Sequence, residues 1–194
     1  MYIPRHFSIT EQEEIFSFLN ANAFGQLISV ADNRPTSSHL PFLLSADRRF
    51  LHCHLARQNS HWQTLEDQQV LVTFQGPHDY ISPGWYRATG VPTWNYQALH
   101  VYGHCRVFEE PGAIATVVEA LSRRYESGLD QPWEPEYGDA MLKAIVGVEI
   151  EIEELQCKYK LSQNRPARDH QPVIDKLDEL GSDSLARAMR KILL

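Results

Sequence analysis

The stretch "VGVEIEIEELQCKYKL" (146–161) decides the fold class. Val146, Val148, Ile150 and Ile152 alternate with Glu149, Glu151 and Glu153, the two-residue period of a strand with one buried face. Beyond Glu154 the apolar series moves to odd numbers, Leu155, Cys157, Tyr159 and Leu161, so a bulge or bend is expected near Glu153-Glu154. A long strand of this kind needs partners. "FGQLISVAD" (24–32), "TSSHLPFLLS" (36–45), "RFLHCHL" (49–55) and "VLVTFQG" (70–76) read as strands. The connections Asn33-Arg34-Pro35 and Ala46-Asp47-Arg48 are short enough for antiparallel hairpins. A further strand ends near Glu109, with Leu99, Val101, Cys105 and Val107 on one side and His100, Tyr102, His104 and Arg106 on the other.

Helices fill the gaps. Thr10-x-x-Glu13 reads as a capping box opening a helix from about 11 to 21. Pro111 starts another, with Ile114, Val117, Val118, Leu121 and Tyr125 at helical spacing and Gly128 after its end. Two short helices are expected at 171–180 and 183–192. The expected class is mainly β with peripheral helices (α+β), a six-stranded antiparallel barrel over residues 1–160 with a basic helical extension, 161–194, packed on it. The chain contains no strand, Gly-rich loop and helix in the order that dinucleotide or P-loop sites need.

The 194 residues are 43% hydrophobic and 22% charged, an ordinary globular composition. No apolar run approaches bilayer length and the N-terminus lacks a secretory apolar stretch, so a cytoplasmic protein without a membrane partner is expected. Cys53, Cys105 and Cys157 lie far apart, each in an expected strand, and read as reduced core thiols. Charge is uneven: residues 1–157 carry net −10 and 158–194 net +3, which make up the total of −7. A polyanion such as DNA would meet the C-terminal tail first, although the same asymmetry also suits an ordinary solvated helical end.

"YISPGWYRATGVPTWNYQALHVYG" (80–103) holds two of the four tryptophans and four of the eight tyrosines. Pro83-Gly84 and Gly90-Val91-Pro92 interrupt any ladder in its first half. Trp85, Trp94 and Tyr96 are therefore expected on or beside turns, where flat side chains line a pocket. In "HCHLARQNSHWQTLED" (52–67) a strand runs into a helix whose start is marked by Ser60-x-x-Gln63. Arg57 arrives three residues before that start with Asn59 between, the layout of an anion site and equally of a capped surface helix. His52 and His54 share one strand face, as do His100 and His104, but no carboxylate or cysteine stands at a metal-ligand spacing, so no metal is expected. Ser38-His39 and Cys53-His54 are only sequence neighbours, and no catalytic residue is assigned. "KYKLSQNRPARDH" (158–170) interleaves Lys158, Lys160, Arg165 and Arg168 with Ser162, Gln163 and Asn164, donors for an anionic or heteroaromatic ligand or a basic linker to the last helices.

"MYIPRHF", "HLPFLL", "HLARQNSHW", "FQGPHDYISPGWY", "VPTWNYQALHVYG" and "KLSQNR" together resemble, in order and over nearly the whole chain, the signature blocks of the PaiB family of FMN-binding negative transcriptional regulators. The resemblance implies a split-barrel flavin-binding fold and a homodimer with FMN at the subunit interface. By the same resemblance the phosphate lies near His54, Arg57, Asn59 and Trp62, and the ring along Ser38, His39, Leu40 and Pro41. The strand ending in Val101-Tyr102-Gly103 brings Trp94, Asn95, Tyr96 and Gln97 to the ring, and Lys160, Gln163 and Arg165 close the site. The family description implies transcription repression, with any direct DNA contact through the basic tail. The rival readings are a flavin-dependent oxidoreductase of a small molecule and a flavin or haem binder without turnover.

Overall fold

A computed structural model describes residues 1–193. In chain order the elements are β1 (Ser8–Ile9), α1 (Gln12–Ala21), β2 (Phe24–Ala31), β3 (Arg34–Pro41), β4 (Leu43–Leu44), β5 (Phe50–Ala56), β6 (Gln69–Ile81), β7 (Thr93–Phe108), α2 (Pro111–Glu126), α3 (Asp139–Lys143), β8 (Ile145–Lys160), α4 (His170–Glu179) and α5 (Asp183–Leu193). The described strands form one sheet in the order β3-β2-β6-β7-β8-β5-β4, with β1 added on β8. Every register that can be assigned is antiparallel.

The count is eight strands rather than the expected six, and the difference has local causes. The segment expected as one strand over 36–45 divides at Phe42. Its first part pairs with β2 at one end of the strand order and Leu43–Leu44 pairs with β5 at the other. Phe42 is fully buried and its amide donates to Ala23 O at 2.8 Å, so a single residue joins the two ends of the order. The first hairpin turns at Asp32 and Asn33, both at positive φ, one position earlier than expected. Left-handed backbone at two central residues is the geometry of a tight two-residue hairpin, and it leaves Pro35 on an edge strand that tolerates it. Trp94 and Tyr96, expected at turns, lie inside β7, which begins directly after Pro92.

The chain divides into two compact units that interleave. One comprises residues 1–18, 75–99 and 156–194, and the other 19–74 and 100–155. The second unit is built on β2 to β5 and on parts of β6, β7 and β8, with α2 and α3. Its core takes Leu27, Leu51, Leu55, Val72, Val148 and Ile150, the inward positions that the period of two assigned. Gly103 and Gly147 are dictated by packing. A Cβ on Gly103 would strike Glu151 O, and one on Gly147 would strike the Phe108 ring.

In the first unit α4 and α5 bury Val173, Ile174, Leu177, Leu185, Ala186 and Met189. Gly181, at φ 78°, ends α4, and its amide and that of Ser182 take Asp178 O and Leu177 O. Within β8 Glu153 and Glu154 are both exposed, and burial then resumes over Cys157, Lys158 and Tyr159, the apolar two of which stand on the odd positions read from the sequence. All three cysteines are free and buried, and burial pushes Cys105 and Cys157 up to about 12 and Cys53 well above its usual value. They are core residues, not nucleophiles.

Candidate functional site

In the second unit, β5 ends at Ala56 and the chain turns through Arg57 and Asn59 into a single 3₁₀ turn, Ser60–Thr64. The expected helix with a Ser60 cap is not there. Asn59 is the capping residue, its Oδ1 accepting from His61 N at 3.1 Å, and the turn is too short to carry the dipole of a helix N-terminus. Arg57 turns into the protein. Its Nε donates to Lys143 O at 2.7 Å, Nη2 reaches Ile145 O at 3.3 Å, and Nη1 pairs with Glu109. The Trp62 indole N–H returns a bond to Arg57 O at 2.9 Å. Arg57 and Trp62 thus brace the strand end, with three of the guanidinium's five N–H donors engaged by Lys143 O, Ile145 O and Glu109.

The same turn brings in a residue the sequence reading passed over. His61 is 3% exposed and lies between two buried serines, with Ser38 Oγ 2.8 Å from Nδ1 and Ser29 Oγ 2.9 Å from Nε2. Asn59 Nδ2 also donates to Ser38 Oγ, at 3.2 Å. Desolvation lowers the His61 pKa, so the ring is neutral and one nitrogen donates while the other accepts. This is not a catalytic triad, because a hydroxyl rather than a carboxylate holds each ring nitrogen. Its signal was nevertheless present. Ser29 and Ser38 fall on the inward parity of paired strands, with Leu27 opposite Ser38, and a buried serine needs a partner.

Of the ring residues assigned by resemblance, Ser38 is buried in this cluster. His39 faces out, stacked at 6.4 Å on Phe24, while Leu40 and Pro41 are half-buried opposite Gly25 and Phe24. His54 lies on the outward face of β5 opposite Gly147. His54 Nδ1 and His100 Nδ1 are buried without a hydrogen-bond partner among the described residues, and desolvation lowers both pKa values.

The first unit gathers the remaining assigned residues. Asn95 and Gln97 are buried on β7, with Trp94 and Tyr96 on its other face. Trp94 is 54% exposed and meets Tyr80 edge-on at 6.2 Å. Asn95 Nδ2 donates to Ser162 Oγ at 2.9 Å, and the Lys158 ammonium lies 5.2 Å from the Tyr96 ring. The "KLSQNR" block is a clamp. Lys160 Nζ binds Thr93 Oγ1 and, at 2.5 Å, Trp94 O, and burial followed by the charge of Lys158 pulls its pKa down. Gln163 ties Leu161 N to Tyr159 O across the turn made by Ser162, which sits at φ 72°. Arg165 packs 4.1 Å from the Tyr86 ring, donates to Thr89 O at 3.0 Å and pairs with Asp169 at 2.7 Å.

Asp169, also missed from sequence, is fully buried and accepts from Arg87 N at 2.9 Å and Ala88 N at 3.0 Å. Burial would raise its carboxyl, but the Ala88, Arg165 and Arg87 hydrogen bonds outweigh that and hold it below the usual value. The aromatic loop between β6 and β7 is thereby fastened by Lys160, Arg165 and Asp169.

A family described as "Putative FMN-binding domain" matches residues 1–154. The chain is 41% identical over 185 residues to "Protease synthase and sporulation protein PAI 2" of Bacillus subtilis, covering 91% of this chain and 89% of that one. The chain belongs to the PaiB family of FMN-binding proteins. Its fold is that of split-barrel flavin-binding proteins. The flavocytochrome Anf3 of Azotobacter vinelandii superposes with TM-score 0.66 at 14% identity, covering 81% of this chain and 72% of that one. A FAD and haem binding protein of Mycobacterium smegmatis superposes with TM-score 0.66 at 15% identity, covering 79% and 73%. FMN is the cofactor. The residues present fit it: the orphaned His54 Nδ1 needs a partner that the described residues do not supply, and the exposed Trp94 ring offers a flat apolar face.

Proposed function

We propose that this chain is a cytoplasmic, homodimeric negative transcriptional regulator of the PaiB type, with FMN at the subunit interface. The 41% identity to the sporulation protein over nearly the whole of both chains carries this reading. His54, Asn59 and the Ser38–Pro41 segment hold one side of the cofactor. The partner subunit contributes its own copy of the strand that holds Trp94 to Gln97. Bound FMN supplies reversible two-electron chemistry. The chain's part is to bind and orient it: Asn59 and His61 fix the Ser38 hydroxyl, and neutral His54 offers one hydrogen bond. Lys160, Arg165 and Asp169 hold the aromatic loop and the start of β7 in place, Gln163 bracing the turn that carries them, and they act on the ligand through those segments.

DNA contact is assigned to the basic tail, but much of its charge is already paired. Arg190 bonds Asp178, Lys191 bonds Glu14 at 2.5 Å, and Lys176 bonds Glu179. Among the described residues of the tail, Arg168 and Arg187 have no carboxylate partner, and Lys158 and Lys160 are spent on Tyr2 O, Thr93 Oγ1 and Trp94 O, so the salt dependence of binding should be shallow.

The test is titration of the purified protein with FMN, followed by gel-shift of promoter fragments with oxidised and reduced flavin and by an NADH and NADPH turnover assay. Flavin binding, a dimer in light scattering and a shift lost on reversing Arg187 support the proposal. Steady turnover of reduced nicotinamide with no DNA bound would replace it by the oxidoreductase.

A further inference from the structure

The second unit contains a groove of about 550 Å³ that shares no residue with the flavin assignment. Its walls are Leu43, Leu44 and Ala46 on one side and Ala113, Val117 and Ala120 of α2 on the other, with Phe108 across one end. The volume falls within the range of small-molecule sites, and most of the lining is apolar. Gly147 helps to make the space, because only a residue without a Cβ lets the Phe108 ring lie against that backbone.

The polar lining is of one kind. Glu149 and His52 bond each other at 3.0 Å, Oε2 to Nε2. His52 Nε2 is the donor to that carboxylate oxygen, and the second Glu149 oxygen has lone pairs to offer. Ser45 donates its hydroxyl hydrogen to Asp47 Oδ1 at 2.6 Å, and Thr116 donates to Gly112 O at 2.9 Å. The Ser45 hydroxyl is further occupied by accepting from Arg49 N and Phe50 N, so the Glu149 carboxylate is the polar group left to meet a ligand. No lysine or arginine lines the groove. A phosphate or carboxylate would meet Glu149 without compensation, whereas a cationic donor would gain a charge-assisted bond.

We propose that this groove binds a small lipophilic amine, with its apolar body between α2 and Leu43–Leu44 and its ammonium group on Glu149. The net charge of −10 over residues 1–157 also favours a cation. The site shares no residue with those assigned to FMN.

The probes are phenethylamine and 3-phenylpropionate, which have similar bodies and opposite charge, titrated calorimetrically into the full-length protein with FMN bound. The amine should bind and the acid should not. Glu149→Gln should weaken the amine by about tenfold or more. Ala120→Leu, which fills the groove without burying a polar group, should abolish binding, and FMN affinity should stay unchanged in both variants. Equal binding of the two probes, an amine affinity indifferent to both variants, or no amine binding at millimolar concentration would each overturn the proposal. A dimer that dissociates in Ala120→Leu would overturn it too, since the groove would then be occupied by a second copy of the chain.

Discussion

The buried polar cluster of the second unit, Ser29, His61, Ser38 and Asn59, carries no formal charge: a neutral imidazole between two hydroxyls. Its counterpart in the first unit is an ion pair, in which Asp169 takes Arg165 and two backbone amides. Each holds a segment next to assigned flavin residues, the turn after β5 in one case and the aromatic loop that leads into Trp94 to Gln97 of β7 in the other. The difference lies in what happens when a member is lost. A neutral network forfeits a few hydrogen bonds of modest net worth, while a broken ion pair strands a charge in a medium that solvates it poorly.

The largest expected effect is therefore at Asp169. Asp169→Ala leaves Arg165 and the Arg87 and Ala88 amides without their acceptor, at a cost of about 3–5 kcal/mol. Urea denaturation measures it, and a loss below roughly 1 kcal/mol would mean that Arg165 finds water and the clamp is ornamental. His61→Ala removes the partner of two buried serines and opens a void, for about 2–3 kcal/mol. Its FMN affinity should also fall, because Ser38 is then free to rotate. Full FMN affinity in a folded His61→Ala protein would remove Ser38 from the flavin assignment.

Arg57 comes next. The anion-site reading predicts that Arg57→Ala weakens FMN strongly, whereas the bonds to Lys143 O, Ile145 O and Glu109 predict lost stability of about 1–2 kcal/mol with FMN affinity almost intact. FMN titration and urea denaturation of this one variant decide between them.

That conflict shows what the sequence carried. Strand periodicity survives translation into structure because burial of alternate residues is a local property, and so β8, α2, α4, α5 and the second part of β7, from Leu99, were legible. The division of one expected strand at Phe42 was not, because it depends on which distant strand each half pairs with. Arg57 looked like an anion ligand since its neighbours in sequence allowed it, yet its partners Glu109, Lys143 and Ile145 are more than 50 residues away. The "KLSQNR" block was recognised as a unit and its members do act together, though on protein groups. Asp169 and His61 stayed hidden because a buried acid or histidine is defined by its surroundings, which one-dimensional spacing does not describe.

The smallest effect separates the two clusters by pH. Desolvation lowers the His61, His54 and His100 pKa values below the ordinary 6.5, so the folded protein refuses protons that the unfolded chain accepts. Their contribution to stability is complete above 6.5 and is lost as pH falls from there through the lowered folded values. Asp169 is held below its ordinary 3.8, so its contribution is complete above 3.8 and is lost only as pH falls through a still lower value. Urea midpoints from about pH 7.5 down to about pH 3 should thus decline in two stages. His61→Gln should flatten part of the upper stage and leave the lower one; Asp169→Asn should do the reverse on a lower baseline. A single decline confined to the acid end would show that the three rings take up protons in the folded state, and the neutral cluster would then have to be redrawn with His61 charged.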